Sequence, residues 1–232
     1  MHLFYNPHIQ GDTIELEEKE SSHAIRVLRL KAGDSVIVVD GRGGWYEAII
    51  IEEHPKRCRL QIEGKTERFQ PLSYNLHMAV APTKNLERFE WFLEKATEVG
   101  ISQISPLICS RSERRKLKMD RLEKILVSAM KQSLKAYKPT LNQPVSMDDF
   151  LQINRVGTRG IAHCYPYERI GIRDLQQTGN YTFIVGPEGD FTEEEVSQAL
   201  KAGFEPIHLG TSRLRTETAA LYITTAISLL HT

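Results

Sequence analysis

The sequence predicts an α/β protein in which a mostly parallel sheet is flanked by helices and preceded by a small N-terminal β-barrel. Short β-branched runs and tight turns fill the chain up to about Gln70, whereas from Tyr74 apolar strands alternate with amphipathic helices. With 232 residues, of which 41% are apolar, the chain is large enough to form these cores without disulfides or structural metals. We therefore expect two domains, residues 1–70 and 74–232, joined by a linker over residues 66–73.

The N-terminal elements are predicted from alternation and turn residues. Ser35–Val39 and Trp45–Ile51 are β-branched runs that flank the glycine-rich turn Asp40–Gly44, which is typical of a hairpin. Residues 57–63 alternate polar and apolar side chains and predict a further strand.

The C-terminal elements are predicted from periodicity and helix signals. The strands are expected at residues 74–80, 101–109, 161–164, 181–185 and 206–209. Apolar spacing of three and four residues predicts a helix from Leu86 that ends at Gly100 and another from Asp120 that ends before Pro139. Thr192 is the expected cap of a helix that stops at Gly203, and a last helix carries apolar residues from 219 to 230.

Composition excludes several classes of protein. The longest apolar uncharged stretch, residues 218–230, is shorter than the about 20 residues that a membrane span needs. The N-terminus has no signal-peptide pattern, and Cys58, Cys109 and Cys164 are widely spaced, so we expect a cytoplasmic protein with reduced core thiols. The eight histidines show no zinc-like spacing, which predicts no metal site.

Charge is unevenly distributed although 30 basic residues balance 30 acidic ones. Between Arg111 and Lys138 lie ten basic and three acidic residues, so this segment carries +7 and the rest of the chain −7. Such a basic segment indicates either a contact with a polyanion or merely a solvated helix face.

The first of two loops that could bind a ligand is glycine-rich. It runs from Ile184 to Phe191, between a strand and a capped helix. Ligands of open α/β sheets bind at the carboxyl ends of the strands, where this loop must lie. No lysine or arginine occurs between Tyr181 and Leu200, and five carboxylates surround the helix start. We expect the loop to disfavour polyphosphates and to favour a cationic ligand, or else to be only a tight turn.

The second loop runs from His208 to Ala220 and follows the next predicted strand. Arg213 and Arg215 lie two residues apart, where they could grip a phosphate or an acidic group. Glu217 is either a functional carboxylate or a residue that the helix dipole favours. Two strand-end loops in one α/β unit predict a shared pocket.

Several motifs together resemble those of one family. The C-terminal motifs are G-P-E-G at Gly186–Gly189, L-G at Leu209–Gly210 and L-R-T-E-T-A at Leu214–Ala219. Further similar segments are His23 with 27–29 and 33–34, K-x-x-E-x-G at Lys95–Gly100, and A-x-x-Q-S at Ala129–Ser133 followed by Pro139. This pattern resembles the RsmE family of small-subunit rRNA uridine-N3 methyltransferases, in the SPOUT superfamily. Asp190 in place of glycine and Lys135 in place of arginine depart from it.

The resemblance implies S-adenosyl-L-methionine as the cofactor, a C-terminal trefoil knot, a PUA-like N-terminal barrel and a homodimer acting on a uridine of 16S rRNA in the small ribosomal subunit. The implied cofactor residues are His163, Ile184, Gly186, Pro187, Glu188, Gly189, Leu209, Gly210 and Leu214. For His163, an ordinary core or loop histidine is the competing interpretation. The expected RNA contacts are Arg26, Arg29, Lys31, Arg111, Arg114, Arg115 and Lys118.

Methylation of uracil at N3 requires removal of the imide proton. Arg215 and Arg213 are the candidates for stabilising the uracil anion or gripping phosphate, and Glu217 is the candidate base or orienter of an arginine. Two functions compete with this one: a different SPOUT reaction, such as ribose 2′-O-methylation, and a non-catalytic RNA-binding module. A nucleotide-dependent enzyme is disfavoured, since the chain lacks G-x-G-x-x-G and Walker A motifs.

Overall fold

The computed structural model describes residues 1–166 and 168–231, which divide into two compact units. The first unit consists of Met1–Pro71 and Val127–Lys138, and the second of Leu72–Leu126 and Pro139–Thr232. Residues 127–138, the end of the basic segment, thus belong to the same unit as the N-terminal strands.

The first unit contains a five-stranded, mainly antiparallel sheet in the order β1-β3-β4-β5-β2. Its elements are β1 (Leu3–Tyr5), β2 (Thr13–Glu15), α1 (Glu18–Ser22), β3 (Ser35–Val39), β4 (Trp45–Glu52) and β5 (Arg59–Thr66). The predicted hairpin is confirmed, because β3 pairs antiparallel with β4. The sequence did not indicate α1 or the single π-helical turn His23–Val27 that follows it, since each spans only five residues.

Part of the core of the first unit comes from residues far away in sequence. Val39 and Trp45 of the sheet pack against Met130 and Ala136, and the Trp45 ring stacks on Phe69 with centroids 4.1 Å apart. Residues 127–138 are therefore an integral part of this core.

The second unit contains a parallel sheet in the order β11-β13-β10-β12-β6-β7-β8, and β9 pairs with β7. Its elements are β6 (Asn75–Val80), α2 (Leu86–Val99), β7 (Gln103–Ile108), α3 (Met119–Gln132, which continues into the first unit), β8 (Thr140–Leu141), β9 (Val145–Ser146), α4 (Met147–Gln152), β10 (Thr158–Ala162), β11 (Ile170–Gly171), β12 (Asn180–Val185), α5 (Glu193–Lys201), β13 (Glu205–His208) and α6 (Thr216–Leu229). The predicted parallel sheet is confirmed, because the strand pairs of this unit all run parallel.

Apolar side chains cover both faces of this sheet. Met78 and Val80 of β6 belong to the core that α2 and α6 complete, whereas Ala79 and Ala81 belong to the core with residues of α4 and α5. Alternate residues of a strand point to opposite faces, so one strand contributes to two cores. The expectation of helices on both sides of the sheet is therefore confirmed.

Helix ends follow the predicted signals more closely than strand ends do. Gly100, at φ 130°, ends α2, and Thr192 caps α5 in a reciprocal pair with Glu195. The strand predicted at 161–164 instead spans Thr158–Ala162, because its pairing with β12 begins at Thr158. His163 and Cys164 consequently lie in the loop beyond the strand.

Two kinds of feature are absent from the described part of the chain. None of its helices combines the length and the apolarity needed to cross a membrane. Nor do its histidine, cysteine and acidic side chains gather in groups of three that could hold a metal ion.

Gly157 provides a test of the packing before β10. It has φ +90°, and a Cβ atom there would collide with the backbone oxygen of Asn180, whereas Gly179 has φ +75° and open space around its Cβ position. We expect Gly179→Ala to lower the free energy of unfolding by about 1 kcal/mol, from backbone strain alone. Gly157→Ala adds the steric clash with Asn180, so we expect it to lower the free energy of unfolding by about 2 kcal/mol more than Gly179→Ala does.

Denaturant unfolding of both variants measures the difference. Equal losses of stability would contradict the close approach of residue 157 to Asn180.

Candidate active site

A cavity of about 350 Å³ lies at the carboxyl ends of three parallel strands of the second unit. Its walls come from the loops that follow β10, β12 and β13 and from the start of α6. Parallel strands bring such loops to one edge of a sheet, which is where open α/β sheets bind ligands. The volume is in the range of small-molecule sites.

A buried hydrogen bond joins the two loops singled out in the sequence. The Thr216 hydroxyl donates to the carbonyl oxygen of Gly186 at 2.9 Å. Gly186 lies in the loop after β12, and Thr216 begins α6. The structure therefore brings the two loops to one cavity.

Most residues predicted for the cofactor or the chemistry line this cavity. They are His163, Gly186, Pro187, Glu188, Leu209, Gly210, Arg213, Leu214 and Arg215. Gly210 has φ +101° and no described atom within 4 Å of its Cβ position. Its backbone is therefore open to a ligand, in a conformation that glycine adopts at little cost.

Three predicted site residues do not line the cavity. Ile184 is fully buried in the core beneath it, and Gly189 packs against the Arg111 side chain. The buried carboxylate of Glu217 faces another cavity, 3.9 Å from the Arg88 guanidinium. Thr216 contacts Gly186 from one side of α6, and the next residue, Glu217, lines the other cavity instead.

The loop after β10 forms the third wall and depends on Asp190. One Asp190 oxygen accepts from the Cys164 amide at 2.9 Å, and the other accepts from the Phe191 amide at 2.8 Å. Asp190 has φ +61°, in the left-handed region that glycine prefers and aspartate tolerates better than most residues. Asp190 therefore adopts a backbone conformation that glycine also allows, and its side chain accepts two hydrogen bonds that a glycine could not accept.

Fewer carboxylates of the first loop face the cavity than the sequence suggested. Of its five carboxylates, only Glu188 and Asp190 line the cavity. Glu195 is buried, where it caps α5 and accepts from the Ser110 amide at 2.7 Å. The arginines that line the same cavity are Arg169, Arg213 and Arg215. The cavity therefore offers both signs of charge, and carboxylates do not determine its preference.

Two titratable groups of the third loop are shifted by burial. Desolvation lowers the pKa of His163, although Asp190 acts in the opposite direction, so its imidazole is neutral at pH 7. Desolvation and Asp190 raise the pKa of Cys164, which is therefore a protonated thiol. Cys164 is exposed at the cavity and is not the core thiol expected, whereas Cys58 and Cys109 are buried.

Sequence reasoning missed Arg169, Cys164 and Thr216 as cavity residues. Thr216 lies inside the L-R-T-E-T-A motif, so the motif could have predicted it as a cavity residue. Arg169 lies in an irregular segment, and its guanidinium donates to the His163 carbonyl at 2.8 Å. Only the tertiary structure shows that contact.

The arginines of the basic segment hold the loops beside the cavity. Arg111 Nη1 donates to the carbonyl oxygens of Gly189 and Phe191 at 2.9 and 3.0 Å. Arg114 donates twice to the Lys84 carbonyl, while the Lys84 amide donates to Glu188 at 3.0 Å. These guanidinium groups, expected only to contact RNA, thus brace the loop that carries Gly186–Gly189.

The other predicted RNA contacts are at the surface. Arg115 is exposed, although one of its nitrogens bonds the Ser110 carbonyl at 3.1 Å, and Lys118 is exposed. In the first unit, Arg26, Arg29 and Lys31 are all exposed within six residues of chain. Arg29 adopts φ 57°, and Arg26 lies in the π-helical turn.

Two protein-family models match the chain. A model described as an RNA methyltransferase domain matches residues 70–228, and one described as an RNA methyltransferase PUA domain matches residues 16–63. The first match alone covers more than half of the chain and contains the whole cavity.

Known proteins resemble the chain over nearly its whole length. The crystal structure of a probable rRNA-methyltransferase from Porphyromonas gingivalis is 39% identical, with a TM-score of 0.93, and the match covers 100% of this chain and 98% of that chain. The structure of a ribosomal RNA small subunit methyltransferase E from Neisseria gonorrhoeae bound to S-adenosyl methionine is 27% identical, with a TM-score of 0.90, and the coverage is 99% and 98%. The protein of that name from Aquifex aeolicus is 28% identical, covering 96% of this chain and 97% of its own.

The motifs, the fold and these matches agree along both units of the chain. This protein therefore belongs to the RNA methyltransferase family of small-subunit rRNA methyltransferases E, the RsmE family that its motifs resemble.

Proposed function

We propose that the protein transfers the methyl group of S-adenosyl-L-methionine to N3 of one uridine in 16S rRNA of the small ribosomal subunit. The observation that carries this proposal is the cavity at the loops after β10, β12 and β13, within a chain whose relatives are small-subunit rRNA methyltransferases. A relative of the same fold, 27% identical, contains S-adenosyl methionine.

The cavity residues fit this cofactor. S-adenosylmethionine supplies an electrophilic methyl group on a sulfonium when it is bound. Gly186, Leu209 and Gly210 offer backbone groups at the cavity wall, and Leu214 offers an apolar surface for the adenosine. The sulfonium is cationic and the amino-acid end carries a carboxylate, so a wall with both Glu188 and arginines suits the molecule.

The arginines are our candidates for the chemistry at uracil. The N3 imide proton must leave before or during attack, and a guanidinium near the base stabilises the resulting anion without itself accepting the proton. Arg213 and Arg215 both reach the cavity, and no described atom of Glu217 lines it. We assign anion stabilisation or phosphate gripping to these arginines and leave proton transfer to solvent or to the rRNA.

The proposal extends to the arrangement of the chain. We propose that residues 1–70, together with 127–138, act as a PUA-like RNA-binding domain, that the rest of residues 74–232 carries methyl transfer, and that the C-terminal part forms the family's trefoil knot. RNA then contacts the exposed Arg26, Arg29 and Lys31, with Lys118 and Arg115 on the methyltransferase domain. A protein that modifies ribosomal subunits works in the cytoplasm.

The decisive experiment is methylation of purified small subunits from cells that lack the gene. We expect the protein and S-adenosylmethionine to restore 3-methyluridine, detected by mass spectrometry of the rRNA nucleosides. A 2′-O-methylnucleoside product would instead assign ribose methylation. Failure to bind the cofactor in calorimetry, with RNA binding intact, would indicate a non-catalytic RNA-binding module.

Arg215 separates catalysis from cofactor binding. Arg215→Ala should reduce single-turnover methylation of small subunits by about 100-fold, because charge stabilisation at the base is lost. The affinity for S-adenosylmethionine, measured by calorimetry, should remain nearly unchanged. Wild-type turnover in the variant would remove Arg215 from the mechanism.

Arg111 tests the brace on the cofactor loop. Arg111→Ala removes hydrogen bonds to the carbonyls of Gly189 and Phe191, so we expect about tenfold weaker binding of S-adenosylmethionine. Lys116→Ala is the matched control, because it removes the same charge from an exposed residue of the same segment. Both variants should bind rRNA less tightly. Equal cofactor affinity in the two proteins would contradict the brace.

The homodimer is a proposal with its own test. Trp91 of α2 and Tyr222 of α6 are 42% and 44% exposed, and Trp91 and Thr218, one turn before Tyr222, line one cavity. Large aromatic side chains at such exposure suit a protein interface. We expect Trp91→Glu to raise the dimer dissociation constant at least about tenfold in sedimentation equilibrium.

Leu200→Glu, which introduces the same charge at an exposed residue of α5, should leave the dimer intact. A monomeric wild type, or equal behaviour of the two variants, would contradict a dimer through this face.

A further inference from the structure

A second cavity, of about 590 Å³, lies at the opposite edge of the parallel sheet from the candidate active site. Asn75, Gln103 and Asn180, the first residues of β6, β7 and β12, line it. The segment from Phe150 to Val156, at and beyond the end of α4, forms another wall. The amino ends of the strands have no part in the chemistry proposed above.

Three adjacent strands place buried polar side chains at this cavity. His77, Ser105 and Thr182 are 9%, 2% and 5% exposed. Two residues further along each strand, on the same face, stand Ala79, Leu107 and Ile184 of the apolar core. Burial of a polar group costs free energy unless it is hydrogen-bonded, so three polar residues at core positions indicate a purpose other than packing.

The buried polar groups form a network that is ordered before any ligand arrives. The Asn142 amide donates to the Ser105 hydroxyl at 2.7 Å, and the His77 Nε2 atom lies 2.8 Å from the same oxygen. The hydroxyl and the ring nitrogen can each donate in this bond, according to the tautomer of the ring. Desolvation and Arg155 lower the pKa of His77 to about 4, so the ring is neutral at pH 7.

A fixed cation lies at the same cavity. The Arg155 guanidinium stacks 3.7 Å above the Phe150 ring, and its Nη1 donates to the carbonyls of Phe150 and Ile153 at 2.6 and 2.8 Å. Among the described residues that line the cavity, Arg155 is the one charged at neutral pH. These contacts fix the guanidinium group. The face that is turned away from Phe150 can stack on a planar ligand, and the remaining N–H groups can bind an anion.

Carboxamides make up much of the remaining wall. The six are Asn75, Gln103, Asn142, Gln143, Asn154 and Asn180. Carboxamides pair with the edges of nucleobases, and arginine planes stack on bases or grip phosphate. A wall with many carboxamides, one arginine and no described carboxylate matches a base joined to a single phosphate better than it matches a sugar or a peptide.

We propose that this cavity binds a nucleotide, with the carboxamides at the base edge and Arg155 at the base plane or the phosphate. The ligand chemistry is common to a free nucleoside monophosphate and to one unpaired nucleotide of a bound RNA. The proposal does not depend on methyl transfer, because its residues are separate from the cavity at the other edge of the sheet.

Titration of the full-length protein with UMP, AMP, a short single-stranded RNA and inorganic phosphate, followed by NMR chemical shifts and calorimetry, tests the proposal. We expect saturable shifts around His77 and Gln103 with a nucleotide and none with phosphate alone. If the RNA binds there and both free nucleotides do not, the natural ligand is a nucleotide within RNA; binding of a free nucleotide identifies a small-molecule site.

Variants separate the site from the fold. Arg155→Ala should weaken nucleotide binding about tenfold or more, whereas Arg173→Ala, an exposed arginine outside the cavity, should not. Should Arg155→Ala fail to fold, Gln103→Ala with Asn180→Ala replaces it, because neither side chain hydrogen-bonds to a described residue of the protein. Gln176→Ala with Gln177→Ala, both exposed, is its control.

Absence of shifts with every nucleotide probe would overturn the proposal, as would phosphate binding as tightly as UMP. Unchanged affinity in both sets of variants would overturn it too. Binding of S-adenosylmethionine is measured on the same samples. Failure of that binding alone would count against the proposed function and leave the nucleotide site intact.

Discussion

The hydroxyl of Thr216 bonded to the carbonyl of Gly186 joins two loops 30 residues apart in the chain. The bond is possible because β12 and β13 run parallel to β10, so that their carboxyl ends meet at one edge. Asp190 adds the third loop through the Cys164 amide. The chemistry proposed for Arg213 and Arg215 depends on these three loops meeting at one cavity, because the residues proposed to bind the cofactor lie mostly in the other two loops.

The basic segment, residues 111–138, also helps to hold these loops in place. Arg111 and Arg114 donate hydrogen bonds to carbonyls of the loop after β12 and of the loop after β6. A phosphate that approaches them competes for the same donors. The hydrogen bonds to these carbonyls give the basic segment a structural role, and the RNA contact proposed for the same segment would couple RNA binding to the shape of the loop after β12.

Periodicity predicted the architecture well because it records which face of each element is buried. The parallel sheet, the end of α2 at Gly100 and the cap of α5 at Thr192 all follow from local residues. Which charged side chains meet at the cavity does not follow from local residues. The sequence places Glu195 among the carboxylates of the first loop, but its side chain accepts from the Thr192 amide at the start of α5 and does not line the cavity. Arg169 lines the cavity from a segment whose sequence shows no pattern. The partner that a buried donor or acceptor meets is decided by tertiary contacts, which spacing along the chain does not contain.

Helix α3 begins in one unit and ends in the other, and its last residues complete the core around Trp45. A polypeptide cut after residue 71 would lack Met130 and Ala136 and would leave the faces of Val39 and Trp45 in water. A continuous N-terminal fragment would therefore keep one of the two core clusters of this unit and lose the cover of the other. During synthesis on the ribosome, the part of the unit's core around Val39 and Trp45 is completed only after residue 136 has been added, whereas the core around Phe4, Val38 and Leu60 needs no residue beyond 62.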